Sequence, residues 1–169
     1  MAIVTEVEED SIVRGRVRPG DDVLAFSGRK FVDVLDYIYA DGCDKGTITL
    51  MRDGVEHEVA YKNRGGLRTL GLSFDSSVEI VPRNCANNCL FCFVRQLPKN
   101  LRDTLYVKDD DYRLSFISGS YITCTNLKEE DIERILYYKL SPLYISVHAT
   151  DKAVQKRSIS SSFRLVQVM

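Results

Sequence analysis

Three cysteines within eight residues constrain this chain more than any other feature it carries. Cys85-Ala86-Asn87-Asn88-Cys89-Leu90-Phe91-Cys92 has the spacing C-x3-C-x2-C and follows the apolar stretch Val78-Glu79-Ile80-Val81, which reads as a strand. With Cys43 and Cys124 the total is five, an odd number that argues against a disulfide framework. In a reducing compartment, clustered thiols more often hold a metal or do redox chemistry than form bridges. That compartment is the expectation here. No apolar run approaches the roughly 18 residues of a membrane span, and Met1-Ala2-Ile3-Val4-Thr5-Glu6 lacks the basic-then-apolar layout of a signal peptide, so the chain reads as cytoplasmic. The 23 Lys plus Arg against 24 Asp plus Glu leave a formal charge of −1, and no bulk field draws in nucleic acid or an anionic membrane.

The residues before the cysteines fall into a β-rich pattern. Ile3 to Val7 alternates as a strand does, turn residues crowd Arg18-Pro19-Gly20-Asp21-Asp22, and Val23-Leu24-Ala25-Phe26 reverses at Ser27-Gly28-Arg29. Asp33 to Ala40 places Val34, Leu35, Ile38 and Tyr39 at helical spacing, with Asp41-Gly42 as the stop. Thr47 to Met51 and Val55 to Tyr61 read as strands joined across Arg52-Asp53-Gly54, where Asp-Gly suits a tight hairpin. Residues 1–62 thus form a module just large enough to fold alone. Asn63-Arg64-Gly65-Gly66 opens a linker over 63–74 that ends in a short strand at Leu70 to Phe74.

Residues 75–151 change to strands and helices in alternation. The sequence predicts a strand at Val78 to Val81, the cysteine loop, a segment at Leu97 to Lys108, and a strand at Arg113 to Ile117. A helix follows, capped near Thr125-Asn126, with Glu129, Glu130 and Asp131 in its first turn and Ile132, Ile135, Leu136 and Leu140 in period before Pro142. Leu143 to Val147 is then a buried-looking strand. The pattern implies an α/β fold, α+β over the whole chain, in which the first units of a β/α barrel follow the β-rich module.

Three thiolates on one tight loop reach three corners of an iron–sulfur cube and leave one iron without a protein ligand, open to substrate. Two other readings compete. One is a zinc site completed by Cys124 or His148, although structural zinc usually pairs C-x2-C with a second such pair. The other is incidental cysteines with no metal, which sits poorly on so polar a loop. Asp109-Asp110-Asp111 reads as a solvated turn rather than a divalent-metal cluster. Arg95, Lys99 and Arg102 are either surface charges or a field that favours an anionic cluster or an electron donor. Cys43 and Cys124 read as packing residues, and His57 as exposed.

The spacing, with aromatic Phe91 just before the third cysteine, resembles the signature of radical S-adenosylmethionine (SAM) enzymes. Further stretches carry the likeness: Arg83 to Pro98, Leu105 to Phe116 and Leu140 to Thr150. Together with Arg18-Pro19-Gly20-Asp21-Asp22-Val23-Leu24, Ser27-Gly28-Arg29 and Arg52-Asp53-Gly54, which resemble a PDZ domain, they are similar to a bacterial group labelled iron–sulfur oxidoreductases. Its members join a PDZ-like domain to a radical-SAM domain and an uncharacterised C-terminal domain. The resemblance implies a [4Fe-4S] cluster on Cys85, Cys89 and Cys92. Its free iron would chelate SAM, and its electron would cleave SAM to a 5′-deoxyadenosyl radical that acts on an unassigned substrate. It further implies a reduced flavodoxin- or ferredoxin-like donor and SAM contacts from Gly119 and Ser120, placed after the second strand. The usual Gly-Gly-Glu is not complete there. Ser146 and His148 share a face at the end of the third strand and are candidate SAM or substrate contacts.

A complete β/α barrel takes roughly 250 residues, far more than lie between 75 and 151. The basic, Ser-rich segment 152–169 does not continue the expected helix and reads as the mark of a frameshift or a gene fragment. The chain is therefore expected to carry the cluster loop yet be inactive alone, with an uncovered strand edge and helix face. PDZ domains capture peptide C-termini by strand addition, beside a carboxylate-cradling loop that here would lie at or before Met1-Ala2-Ile3. The first module therefore reads as a docking unit for a protein partner. The alternative to the enzyme is a non-catalytic, PDZ-like interaction module with a cysteine metal site.

Overall fold

Asp53 and Gly54 both adopt positive φ, 50° and 76°, which gives a two-residue turn whose twist matches that of the strands it joins. Across it β4 (Lys45–Arg52) and β5 (Val55–Lys62) pair antiparallel from Arg52↔Val55 outward. In the computed structural model, which describes residues 1–66, 68–151 and 153–154, this hairpin belongs to the first of two compact units, Met1–Ile80. Adding β2 (Asp22–Phe26) and β3 (Arg29–Lys30) gives an antiparallel sheet of order β3-β2-β4-β5. Ile48 and Leu50 on β4, with Val59 and Tyr61 on β5, alternate inward as period two requires. Fully burying an aliphatic side chain such as Ile48 or Leu50 contributes about 1.5–3 kcal/mol.

Helix α1 (Val34–Asp41) starts at Asp33, whose carboxylate accepts from the Leu35 N–H at 3.1 Å, while Asp36 accepts from the Asp33 N–H at 3.1 Å. Its Tyr37 explains the reach of the unit. The 63–74 segment, expected as a linker, packs into the first unit instead: β6 (Leu72–Phe74) pairs antiparallel with β1 (Val4–Val7). Tyr37 Oη accepts from the Leu72 N–H at 3.0 Å, and Phe74 meets Phe31 and Tyr37 edge-on at 5.1 and 5.3 Å. The strand expected at Val78 to Val81 is replaced by a 3-10 turn at Ser76–Val78, started by Asp75.

The second unit begins at Val81. Here β7 (Tyr121–Ile122) pairs parallel with β8 (Tyr144–Ile145), and α4 (Glu129–Tyr138) connects them. This is the β–α–β crossover that a parallel sheet demands. The strand predicted at Arg113 to Ile117 is a helix, α3 (Tyr112–Ser118). Asp111 accepts from the Arg113 N–H at 3.0 Å to cap it, the Tyr112 ring is fully buried, and Gly119 ends it at φ 75°. Apolar burial in this unit is thin, and ion pairs supplement it. Arg83 clamps Asp131 with two bonds of 2.5 and 2.8 Å, and Arg113 holds Asp111 at 2.5 Å. Leu136 on α4 and Val147 beyond β8 are about two-thirds exposed, at 70% and 67%. The 152–169 segment, apart from Ala153 and Val154, lies outside the described residues.

Candidate functional site

The cysteine loop is tied at its root to the segment before α3. Asn84 and Asp109 form an antiparallel bridge, the Cys85 N–H donates to the Lys108 carbonyl at 2.6 Å, and the Asp110 N–H donates to the Arg83 carbonyl at 2.8 Å. The far end closes as a turn, Cys92 N–H to Cys89 carbonyl at 3.2 Å, and Cys92 then starts the short helix α2 (Phe93–Gln96). Cys89 is buried, Cys85 and Cys92 are half-buried, and all three are free thiols. Phe91 and Phe93 stand out into solvent.

The thiols share an electrostatic neighbourhood. Burial pushes the Cys89 thiol up, the Cys85 and Cys92 sulfurs push it further, and Lys108 opposes them. Holding Cys89 as a thiolate in this place is costly, and the positive charge of a bound metal would offset that cost. The Cys124 thiol is raised by burial and by Asp110. Among the described residues no three or more His, Cys, Asp or Glu side chains form a group that could hold a single metal ion. A zinc ion requires its ligands to converge on one point, whereas the three bound irons of a cubane each take one thiolate. Three thiols on one short loop are a donor set of the kind that a cluster with three protein ligands takes.

A buried polar network joins the loop to the end of β7. Asn87, 3% exposed, donates from Nδ2 to Thr123 Oγ1 at 2.9 Å and to Thr125 Oγ1 at 2.8 Å. Asp110, 2% exposed, accepts from the Thr123 N–H and hydroxyl, both at 2.6 Å, and from Thr125 Oγ1 at 3.4 Å. Asn126, expected as a helix cap, instead donates to the Asp110 carbonyl at 2.9 Å, and the cap of α4 lies two residues later at Lys128, whose N–H donates to Asp131. Lys108 Nζ donates to the Asn87 carbonyl at 2.9 Å. Two buried side-chain oxygens, Asp109 Oδ2 and Asn126 Oδ1, have no hydrogen-bond partner among the described residues.

The acidic run at 109–111 is not the solvated turn its composition suggests, because Asp110 and Asp111 are buried and fully engaged. Burial pushes the Asp111 carboxyl up, but hydrogen bonds from Arg113 and Arg83 together with the Arg113 charge outweigh it and hold it below the usual carboxylate range. Gly119 and Ser120 stand at the end of α3 and before β7, so they do not follow a strand. The segment that does follow one is Thr123 to Asn126. Ser146 is half-buried, with its N–H donating to the Ile122 carbonyl at 2.8 Å, and exposed His148 packs on Phe91 with ring centroids 4.5 Å apart. The strand end carrying His148 and the cysteine loop are thus neighbours. Arg95, Lys99 and Arg102 are exposed. From sequence, Asp110 reads only as part of a solvated turn and Thr125 only as part of a helix cap, and Asn87, Lys108 and Thr123 are not singled out. They are single polar residues in loops with no periodicity, and their partners are remote in the chain.

A family model described as a radical SAM-like domain matches residues 64–167, more than half of the chain. The chain belongs to the radical SAM-like domain family. The match begins inside the first compact unit and covers the cysteine loop, the polar network and both parallel strands. It also runs past Asp151, where the resemblance drawn from sequence stops. Two solved structures are similar over 44% of this chain. One is the PDZ domain of an SdrC-like protein from Listeria innocua, at 20% identity and TM-score 0.38 over 92% of that chain. The other is the PDZ domain of an SdrC-like protein from Listeria monocytogenes, at 18% identity and TM-score 0.37 over 87% of that chain. No curated protein matches the chain. Among the described residues no helix is long and apolar enough to cross a membrane.

Proposed function

We propose that this radical SAM-like domain binds a [4Fe-4S] cluster through Cys85, Cys89 and Cys92 and uses it for the reductive cleavage of SAM. The observation that carries the reading is the set of three free thiols on one short loop within a radical SAM-like domain. When bound, such a cluster supplies one electron to the sulfonium of SAM through its open iron. The chain's own part is to hold and shield. Cys89 lies buried at the centre of the loop, Lys108 and the Asn84–Asp109 bridge fix its root, and Asn87 ties it to the end of β7. SAM contacts are assigned to the two strand ends beside the loop, Thr123 to Asn126 after β7 and Ser146 with His148 after β8. Asn126 Oδ1, buried and unpartnered among the described residues, is an acceptor suited to an ammonium group. The exposed cations Arg95, Lys99 and Arg102 suit an acidic donor such as a reduced flavodoxin or ferredoxin.

Anaerobic reconstitution with iron and sulfide, followed by electron paramagnetic resonance of the reduced protein, tests the reading. A cubane signal that changes on adding SAM and is absent in Cys89→Ala is the expected result. A protein that takes up no iron, or a cluster whose signal ignores SAM, overturns it.

A further inference from the structure

Lys108 holds the cysteine loop from two directions. Its carbonyl accepts from the Cys85 N–H at 2.6 Å, and its ammonium donates to the carbonyl of Asn87 at 2.9 Å, so one residue grips the loop before and after Ala86. The side chain is half-buried. Asn87 is itself buried and engaged by Thr123 and Thr125, and its carbonyl therefore cannot drift to follow a displaced amine. The cation is thereby held beside the ligand loop, unlike exposed Arg95, Lys99 and Arg102. A charge held in a partly desolvated place acts on its neighbours far more strongly than one free to move in water. A cubane with three thiolate ligands becomes more negative by one charge when reduced, so a fixed cation favours the reduced form.

We infer that Lys108 is a positioning residue that sets the reduction potential of the cluster bound by Cys85, Cys89 and Cys92. This rests on the cluster reading above. The ammonium needs no proton transfer for this role. It holds the Asn87 carbonyl and stabilises the added electron. Removing the charge must lower the midpoint potential, and returning it as a guanidinium must restore most of the shift.

The test uses the full chain, reconstituted anaerobically, with wild type, Lys108→Met and Lys108→Arg compared for iron content and for midpoint potential by a dye-mediated titration followed in the visible spectrum. Far-ultraviolet circular dichroism establishes that each variant is folded. The expected result is a lower midpoint in Lys108→Met than in wild type, with Lys108→Arg between the two or at the wild-type value. A folded Lys108→Met that retains no iron overturns the inference, because Lys108 is then needed to assemble the site and not to tune it. Equal midpoints in all three proteins overturn the inference and leave the cluster reading standing, as does an equal shift in Met and Arg variants. Absence of a cluster in wild type instead overturns the cluster reading, and the inference falls with it.

Discussion

Replacing Asp110 with Ala removes the acceptor at the centre of the network that joins the cysteine loop to β7. Its carboxylate takes two bonds of 2.6 Å from Thr123 and a longer one of 3.4 Å from Thr125. Hydrogen bonds to a charged group contribute about 1.5–3 kcal/mol each. The two short bonds alone give about 3–6 kcal/mol, reduced because Thr123 and Thr125 are half-buried and water can partly replace the lost acceptor. The expected destabilisation is about 2–4 kcal/mol. Asp110→Asn keeps one acceptor oxygen for the Thr123 N–H and should cost about half as much. The cysteines report the two units separately: Cys43 lies in the first, and Cys85, Cys89, Cys92 and Cys124 in the second. Pulsed alkylation across a urea series, with each cysteine quantified by mass spectrometry, gives a midpoint for each. With a urea dependence of about 1–2 kcal/mol per molar, Asp110→Ala should lower the midpoints of the four later cysteines by about 2 M. The Cys43 midpoint should not move. Unchanged midpoints at the four later cysteines, or an equal shift at Cys43, would refute the reading of Asp110 as the central acceptor of that network.

Two further predictions concern the rest of the molecule. A Cβ on Gly46 would lie 2.6 Å from Tyr61 Oη, 2.7 Å from its Cζ and 2.8 Å from Ser27 Oγ, so Gly46→Ala should destabilise the first unit by about 1–3 kcal/mol through overpacking. The Cys43 midpoint should fall while the others hold, and an unshifted Cys43 would contradict the crowding. Burial raises the Asp21 carboxyl, but hydrogen bonds from Arg52 and the Arg18 N–H with the charges of both arginines outweigh it and hold it below the usual range. Its folded value is then lower than its unfolded one, so the pair stabilises the first unit fully above the unfolded value and is lost as pH falls through the folded one. Arg52→Met removes the strongest of the interactions that oppose burial, so the acid-unfolding midpoint followed by far-ultraviolet circular dichroism should move to higher pH; an unchanged or lower midpoint would contradict this.

Much of the first unit was legible because its signals are short-range. Asp53-Gly54 makes its turn from two residues, and Asp33 with Asp36 starts α1 from within one helical turn. The extension of that unit to Ile80 was not legible, since β6 is recruited by Phe74 and Leu72 meeting Phe31 and Tyr37, residues more than thirty positions away. The 113–117 stretch shows the same limit. Leu114-Ser115-Phe116-Ile117 is a short apolar run that suits strand or helix alike. The Asp111 cap, the buried Tyr112 ring and Gly119 made it a helix, and the strand moved to Tyr121–Ile122.

The candidate site divides along the same line. Cys85, Cys89 and Cys92 are carried by one loop, so their spacing alone brings the thiols together whatever surrounds them. The cap of α1 and the hairpin turn belong to the same class: local geometry is determined by neighbours in the chain, at little entropic cost of closure. The residues that hold the loop are of the other kind. Asn87 meets Thr123 and Thr125, Lys108 reaches back to Asn87 beside the Asn84–Asp109 bridge, and Phe91 meets His148, across separations that only tertiary packing closes. Buried donors and acceptors must find partners wherever the fold puts them, and that choice is made when segments remote in the chain pack together, not by the residues alongside.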